Sequence, residues 1–208
     1  MCRVTLLGNL VQKPEIRYQA NPVIAVAELT LATHSRWFDK TNNCFKEWTH
    51  FHTVKVVGDI VEAALIHANK GDITLVHGYL INSKTNNREV VHASYAQTYP
   101  KGFAKSINQI HCSGSISSDI KILTTEHNKT LTEISLSSKQ RVVSAVTGKS
   151  YEVTIQRPLH VWGKEALYLA KHAKRNDQII VDGKLSYLNN KQKSQYIDVQ
   201  QATLLSKH

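Results

Sequence analysis

Residues 47–58, EWTHFHTVKVVG, are similar to residues 152–163, EVTIQRPLHVWG. Both stretches have the same length and end in glycine. In each copy another glycine follows 20 positions after the terminal one, at Gly78 and at Gly183. This spacing of about 105 residues is longer than a solenoid repeat and equals the size of a small domain. The sequence therefore predicts two copies of one domain.

Each copy has mostly β-strand patterns and one helical pattern. Runs of β-branched and alternating apolar residues predict five strands in the first copy: Val4–Leu10, Val23–Thr33, Trp48–Val57, Ile73–Leu80 and Arg88–Ala96. Apolar residues at helical spacing predict helices over Asp59–Lys70 and Lys164–Arg175. Five strands with a helix between the third and the fourth is the order of the OB-fold, a small, partly open barrel. We therefore expect an all-β chain of two tandem OB-folds.

Glycines at matched positions support this assignment. Gly8 and Gly114 fall in the first strand of each copy, where a long strand must bend to join both sides of the barrel. Gly78 and Gly183 fall in mid-strand, where they permit a bend or a close backbone approach. The Pro-Lys-Gly sequence after the last strand of the first copy indicates a linker. We place the domains at residues 1–100 and 107–208, with the linker at 101–106.

The end of each predicted helix carries a residue that tolerates a left-handed backbone. The first copy has Gly71 there and the second has Asn176. Both residue types adopt this conformation at helix ends, so the difference preserves the local geometry.

The chain is basic, with 26 Lys and Arg against 16 Asp and Glu. Such a surplus favours a polyanionic partner, although a merely basic soluble protein would show it too. The sequence has neither a polybasic cluster nor an amphipathic helix with a basic face, the features that would indicate binding to anionic lipid. The sequence lacks an apolar run of about 18 residues and a recognisable signal peptide, so we expect a cytoplasmic protein. Three widely spaced cysteines argue against a disulfide framework and favour a reducing compartment.

The first copy resembles the bacterial single-stranded DNA-binding protein (SSB) family. The residues that carry the resemblance are LGNL at 7–10, KPEIR at 13–17, LAT at 31–33, Trp37-x-Asp-Lys40, Lys46-Glu47 with Thr49, and Phe51-His52 leading to Gly58. The second copy is less similar, and its residues 157–163, RPLHVWG, also resemble the primosome accessory protein PriB. The resemblance implies sequence-nonspecific binding of single-stranded DNA, and RNA as an open alternative, by stacking of bases on aromatic rings.

The resemblance also implies which residues bind nucleic acid. Trp37 and Phe51 fall at stacking positions of the family, and His52 falls beside the binding face. Trp48 and Phe51 have opposite parity on a strand, so at least one should be exposed, and we favour Phe51. Trp162 falls at a position that is often aromatic in the family, although it could equally be part of the core. The remaining candidates are cations that would follow the phosphate backbone: Arg17, Arg36, Lys40, Lys55, Lys84 and Arg88 in the first copy, and Arg141, Lys149, Lys191 and Lys193 in the second.

The two copies differ at these positions, which predicts specialisation. The second copy has Gln156 where the first has Phe51, and Val142 where the first has Trp37. We therefore expect the richer stacking surface in the first copy.

Catalytic and metal-binding functions have little support in the sequence. His50 and His52 share a strand face, and Cys44 or His34 could join them, but such a pair lacks the further ligands that zinc sites need. The sequence has no nucleophile elbow, Walker loop or H-E-x-x-H motif. We expect neither a metal nor another cofactor and no enzyme activity, with an unrecognised nuclease as the enzymatic alternative.

Partners follow from the resemblance. SSB proteins commonly work as four OB-folds, so two tandem copies predict a homodimer. They usually end in a Gly/Pro-rich segment with an acidic tip that recruits replication or recombination proteins, whereas residues 203–208 here read TLLSKH. This difference suggests a specialised protein of a bacterium, plasmid, phage or integrative element. The alternative function is that of a PriB-like replication accessory protein that acts mainly through protein partners.

Overall fold

The computed structural model describes residues 1–40, 42–83, 88–102, 104–125 and 129–205. The elements of the first half are, in order, β1 (Cys2–Leu10), β2 (Glu15–Gln19), β3 (Ile24–Asp39), β4 (Cys44–Val57), α1 (Asp59–Leu65), β5 (Ile73–Asn82) and β6 (Glu89–Tyr99). Those of the second half are β7 (Ile107–Ile116), β8 (Lys121–Thr124), β9 (Thr130–Val143), β10 (Ser150–Trp162), α2 (Gly163–His172), β11 (Gln178–Tyr187) and β12 (Gln195–Leu205).

The order of elements confirms the OB-fold prediction. The five long strands of the first half are β1, β3, β4, β5 and β6, and α1 lies between the third and the fourth of them. The structure adds the short strand β2 at the sheet edge, and the second half has β8 in the corresponding place. These strands were not predicted because five or fewer residues give too little periodic signal.

Several predicted boundaries differ from the structure, most of all the end of β3 and the end of α1. Strand β3 continues to Asp39, beyond the predicted end at Thr33, and forms a long hairpin with β4. Helix α1 ends at Leu65 instead of Lys70. After the helix the chain turns towards β5, and the backbone amide of Asn69 donates a hydrogen bond to the Asp72 carboxylate at 2.8 Å.

All strands of the described residues belong to one twelve-stranded sheet. The strand order is β2-β3-β4-β6-β5-β1-β7-β11-β12-β10-β9-β8. Read from the β8 end, each strand of the second half occupies the same place as its counterpart in the first half read from the β2 end. Additional pairings of β1 with β3 and of β7 with β9 close each half into a barrel. The antiparallel pairing of β1 with β7 joins the barrels, so the two halves are related by an approximate two-fold axis.

Gly8 and Gly114 make the barrel closure possible. A Cβ atom on Gly8 would lie 2.1 Å from the Ala32 carbonyl oxygen of β3. A Cβ atom on Gly114 would lie 2.3 Å from the Ser137 carbonyl oxygen of β9. These are the strands to which β1 and β7 cross, so glycine is required where one strand joins both sides of the barrel, as predicted.

The residues after the two helices also have the predicted backbone. Gly71 has φ +88° and Asn176 has φ +73°, both in the left-handed region. The Asn176 amide then bonds to the Ile116 carbonyl, which ties this turn to the end of β7.

The expectation about the cysteines was wrong. Cys2 and Cys112 form a disulfide, with their Cα atoms 4.1 Å apart. They are directly opposite each other in the β1–β7 pairing, which brings together residues separated by 110 positions in the chain. Of the three cysteines, all of which the structure describes, Cys44 is unpaired and exposed. The bond therefore crosses the junction between the two barrels.

A buried polar cluster forms a second contact between the barrels. The Arg157 guanidinium of β10 is about 1% exposed and lies 3.2 Å from the Glu89 carboxylate of β6. It also donates to the Asn82 side-chain oxygen at 2.8 Å and to the Gln195 side-chain oxygen at 3.1 Å. Burial lowers the pKa of Arg157, and the Glu89 charge opposes that shift. Because an unpaired buried charge is costly, this cluster fixes how the second barrel sits against β5 and β6 of the first.

Candidate nucleic-acid interface

The β3–β4 hairpin presents the aromatic rings that the sequence singled out. Trp37, Trp48 and Phe51 are 47%, 60% and 49% exposed. Residues that face each other across an antiparallel pair point to the same side, and this register places Trp37 and Trp48 on one face and Phe51 on the other. Both faces are open because the hairpin extends beyond the barrel wall. The prediction that at least one of Trp48 and Phe51 is exposed is confirmed, and both are.

Two further rings on this hairpin were not identified from the sequence. Phe38 and Phe45 are opposite each other near the hairpin turn, with ring centroids 5.1 Å apart, on the same face as Phe51. The Arg36 guanidinium lies 4.2 Å from the Phe45 ring centroid and 3.5 Å from the Glu47 carboxylate. The alternation Arg36-Trp37-Phe38 could have revealed rings on both faces, if the hairpin had been predicted to continue past Thr33.

A groove on the outside of the first barrel brings together three of the predicted cations. Arg17, Lys55 and Arg88 line a cavity of about 570 Å³. Tyr18, an exposed side chain that the sequence analysis missed, lines the same cavity. Arg17 lies 2.9 Å from Glu15 and Arg88 lies 3.1 Å from Glu28, so a phosphate entering this groove would compete with two carboxylates for these cations.

The position of His52 corrects one prediction. His52 is fully buried, so it does not lie on an exposed binding face. Its Nε2 is 2.8 Å from the Thr33 hydroxyl and its Nδ1 is 3.1 Å from the Tyr187 hydroxyl of the second barrel. Burial, reinforced by the neighbouring His50, lowers the pKa of His52 to about 3. The physical reason is parity: His52 points to the inner side of β4, where the second barrel covers it.

The other predicted cations of the first half lie apart from this groove. Lys40 is exposed where the β3–β4 hairpin turns, close in sequence to Trp37. Lys84 lies outside the described residues.

The predicted residues of the second half do not converge on one site. Arg141 lines a cavity of about 500 Å³ with Arg3 and Tyr79, over the junction of the barrels. Lys149 is exposed beside the turn between β9 and β10. Lys191 and Lys193 instead lie next to Phe51 of the first half, around a cavity of about 240 Å³.

Trp162 occupies a separate groove at the start of α2. It is 41% exposed and lines a cavity of about 730 Å³ with Lys164 and Leu167. Its indole nitrogen donates a hydrogen bond to the Asp198 carboxylate at 3.1 Å, which holds one edge of the ring against β12. Trp162 is therefore not a core residue, and its exposed surface is available for contact.

The described residues contain no cluster of three or more His, Cys, Asp or Glu side chains that could hold a metal. His50 and His52 stack with centroids 6.2 Å apart, and burial lowers the pKa of His50. Neither of the two helices that the structure describes has the length and apolar character needed to cross a membrane.

Comparisons with known proteins agree with this description. The model of the Single-strand binding protein family matches residues 1–98 and 107–206. The single-stranded DNA-binding protein from Thermus aquaticus superposes over 100% of this chain and 94% of its own, with a TM-score of 0.79 and 18% sequence identity. A deletion mutant of that protein gives a TM-score of 0.82 at 18% identity, over 100% of this chain and 96% of its own.

PriB from Ralstonia solanacearum is also similar, but over less of the chain. It covers 48% of this chain and 99% of its own, with a TM-score of 0.39 and 14% identity. The similarity covers about half of the chain and does not support a PriB-like role.

Proposed function

Because the chain belongs to the Single-strand binding protein family, we propose that it binds single-stranded DNA without sequence preference, by base stacking and phosphate contacts. The observation that carries the proposal is the placement of exposed rings of the β3–β4 hairpin beside cations of the first barrel. Phe51 lies in a cavity that Arg88 also lines, and Arg88 lines the neighbouring groove with Arg17 and Lys55. A strand could follow this basic surface while its bases stack on the rings.

Energetic considerations favour stacking as the main source of affinity. Each base stacked on an aromatic side chain contributes roughly 1–3 kcal/mol and requires no particular sequence, because every base has a flat face. The cations add a contribution that depends on salt through the release of counterions. Since Arg17 and Arg88 already contact carboxylates, we expect each to contribute less than a ring does.

The rings are concentrated in the first half, which supports a division of labour between the copies. Gln156, at the position equivalent to Phe51, is exposed but offers no ring. Val142, at the position equivalent to Trp37, is buried. We propose that the first barrel supplies most of the stacking and that the second contributes phosphate contacts and Trp162.

We further propose that the protein protects or organises single-stranded DNA in replication, recombination or repair, acting as a binder and not as an enzyme. A homodimer would bring four OB-folds together, and light scattering at twice the monomer mass would support it. A monomer at micromolar concentration would contradict this assembly.

Binding measurements test the proposal directly. Fluorescence anisotropy should show labelled oligo-dT bound much more tightly than duplex of the same length. Affinity should fall as the salt concentration rises, because phosphate contacts release counterions from the strand. On single strands each contact contributes about 0.7 to the magnitude of the slope of log K against log salt. Phe51→Ala should weaken oligo-dT binding by about 5- to 150-fold, the equivalent of one stacked base. Gln156→Ala, the matched change in the other copy, should leave affinity within about twofold. Equal affinity for duplex and single strand would contradict the proposal.

A further inference from the structure

The cavity around Phe51 belongs to neither barrel alone. Phe51, Arg88 and Glu89 come from the first half, and Tyr187, Lys191 and Lys193 come from the second. The two lysines lie in the connection between β11 and β12, so this turn of the second barrel reaches the ring on β4 of the first. The stacking position and two cations therefore meet across the junction of the barrels.

Hydrogen bonds hold this turn in a defined shape. The Asn190 side chain accepts from the Ser194 amide at 3.1 Å and donates to the Ser194 hydroxyl at 3.2 Å. The Lys193 amide donates to the Asn190 carbonyl at 3.0 Å, and Lys193 has φ +48° in the left-handed region. Within the described part of the chain, no carboxylate lies within 4.0 Å of the Lys191 or Lys193 ammonium group. Unlike Arg17 and Arg88, these two cations do not have to leave a carboxylate to bind a phosphate.

The buried polar cluster sets the distance between Phe51 and the turn. The backbone amide of Gln195, directly after the turn, donates a hydrogen bond to the Glu89 carboxylate, and Glu89 pairs with Arg157. Tyr187, at the other end of the turn, bonds to His52, the residue next to Phe51 in β4. Both ends of the turn are therefore hydrogen-bonded to the first barrel, one end to Glu89 and the other to His52.

We propose that Phe51, Lys191 and Lys193 form one composite nucleotide site, in which a base stacks on Phe51 and the lysines hold the flanking phosphates. The inference rests on the proposed single-stranded DNA binding. Arg88 lines both this cavity and the groove of the first barrel, so the strand passes from one barrel to the other at this point. The two OB-folds then act as one continuous binding unit instead of two independent sites.

A double-mutant cycle tests the composite site. Lys191→Gln with Lys193→Gln should weaken oligo-dT binding and reduce the magnitude of the salt slope by about 1.4, the value for two phosphate contacts. The matched control is Lys171→Gln with Lys174→Gln, two exposed lysines near the end of α2, which should leave the slope unchanged. Groups that hold the same nucleotide are coupled. The loss of oligo-dT affinity caused by the lysine changes should therefore be smaller in a Phe51→Ala background than in the wild type, by a factor of about two or more.

The outcomes separate the two proposals. If the wild type does not prefer single-stranded DNA, the proposed function fails. If the wild type binds oligo-dT but the lysine variant keeps its salt slope, the composite site is wrong while the function stands. Strict additivity of the Phe51 and lysine changes would also overturn the composite site. Melting curves for each variant show whether a loss comes from unfolding.

Discussion

Replacing His52 by glutamine should remove a large part of the acid sensitivity of the fold. His52 is buried between the barrels and contacts the hydroxyls of Thr33 and Tyr187. A neutral imidazole can satisfy both contacts, whereas a buried imidazolium would be poorly solvated. A glutamine side chain offers both a donor and an acceptor at this position without titrating.

The magnitude follows from the pKa of His52, which is about 3 in the fold. An unfolded histidine has a pKa of about 6.5, so the unfolded chain binds more protons between these two values. The depressed pKa therefore does not lower the free energy of unfolding above about pH 7, and this free energy falls as the pH drops below about 6.5. By this linkage, His52 alone destabilises the fold by about 2 kcal/mol at pH 5 relative to pH 8.

Urea unfolding at pH 8 and pH 5 measures this difference. The wild type should lose about 2 kcal/mol more than His52→Gln on going to pH 5. Other histidines of lowered pKa, His50, His92 and His160, contribute to both proteins and cancel in the comparison. His67→Gln, at an exposed position on the segment after α1, is the matched control and should behave like the wild type. An equal pH effect in the wild type and in His52→Gln would refute the reasoning.

Two further predictions concern the hairpin and the cysteines. Trp37→Ala should weaken oligo-dT binding by about 5- to 150-fold, more than any single Lys→Ala change, because a stacked base contributes more than one screened cation. Anisotropy titrations at fixed salt check this ranking, and equal losses would contradict it. Because Cys2 and Cys112 are bonded to each other and buried, whereas Cys44 is a free thiol, alkylation of the urea-unfolded chain without reductant should label one thiol per chain. Mass spectrometry should show three labelled thiols when the unfolded chain is also reduced, and three labels without reductant would show that the bond is absent.

The fold was largely predictable because its signals are local. Runs of β-branched residues mark the long strands, and Gly8 is required by a close approach within its own barrel. The contacts between barrels were not predictable in the same way. The Cys2–Cys112 bond depends on the pairing of β1 with β7, and the burial of His52 depends on Tyr187, 135 positions away in the chain.

The candidate site was predictable in its residue types but less so in its arrangement. Strand parity correctly indicated that Trp48 and Phe51 cannot share a face, yet it could not show that the hairpin extends far enough for both faces to be open. The pairing of Lys191 with Phe51 could not be read from the sequence either, because the resemblance treats each copy separately. Such contacts arise from the packing of two barrels and leave no periodic pattern in either one.

The buried cluster shows what a tandem chain can achieve that two identical subunits cannot. Asn82 is opposite Glu89 in the first half, and the equivalent pair in the second half is Tyr187 opposite Gln195. The residue equivalent to Arg157 is His52, so the approximate two-fold axis relates an ion pair to a neutral contact. Two second halves packed against each other would bury Arg157 beside Gln195 without a carboxylate, at a cost of about 3–5 kcal/mol. The charge difference therefore favours packing of a first half with a second half, which keeps Phe51 beside the turn that carries its lysines.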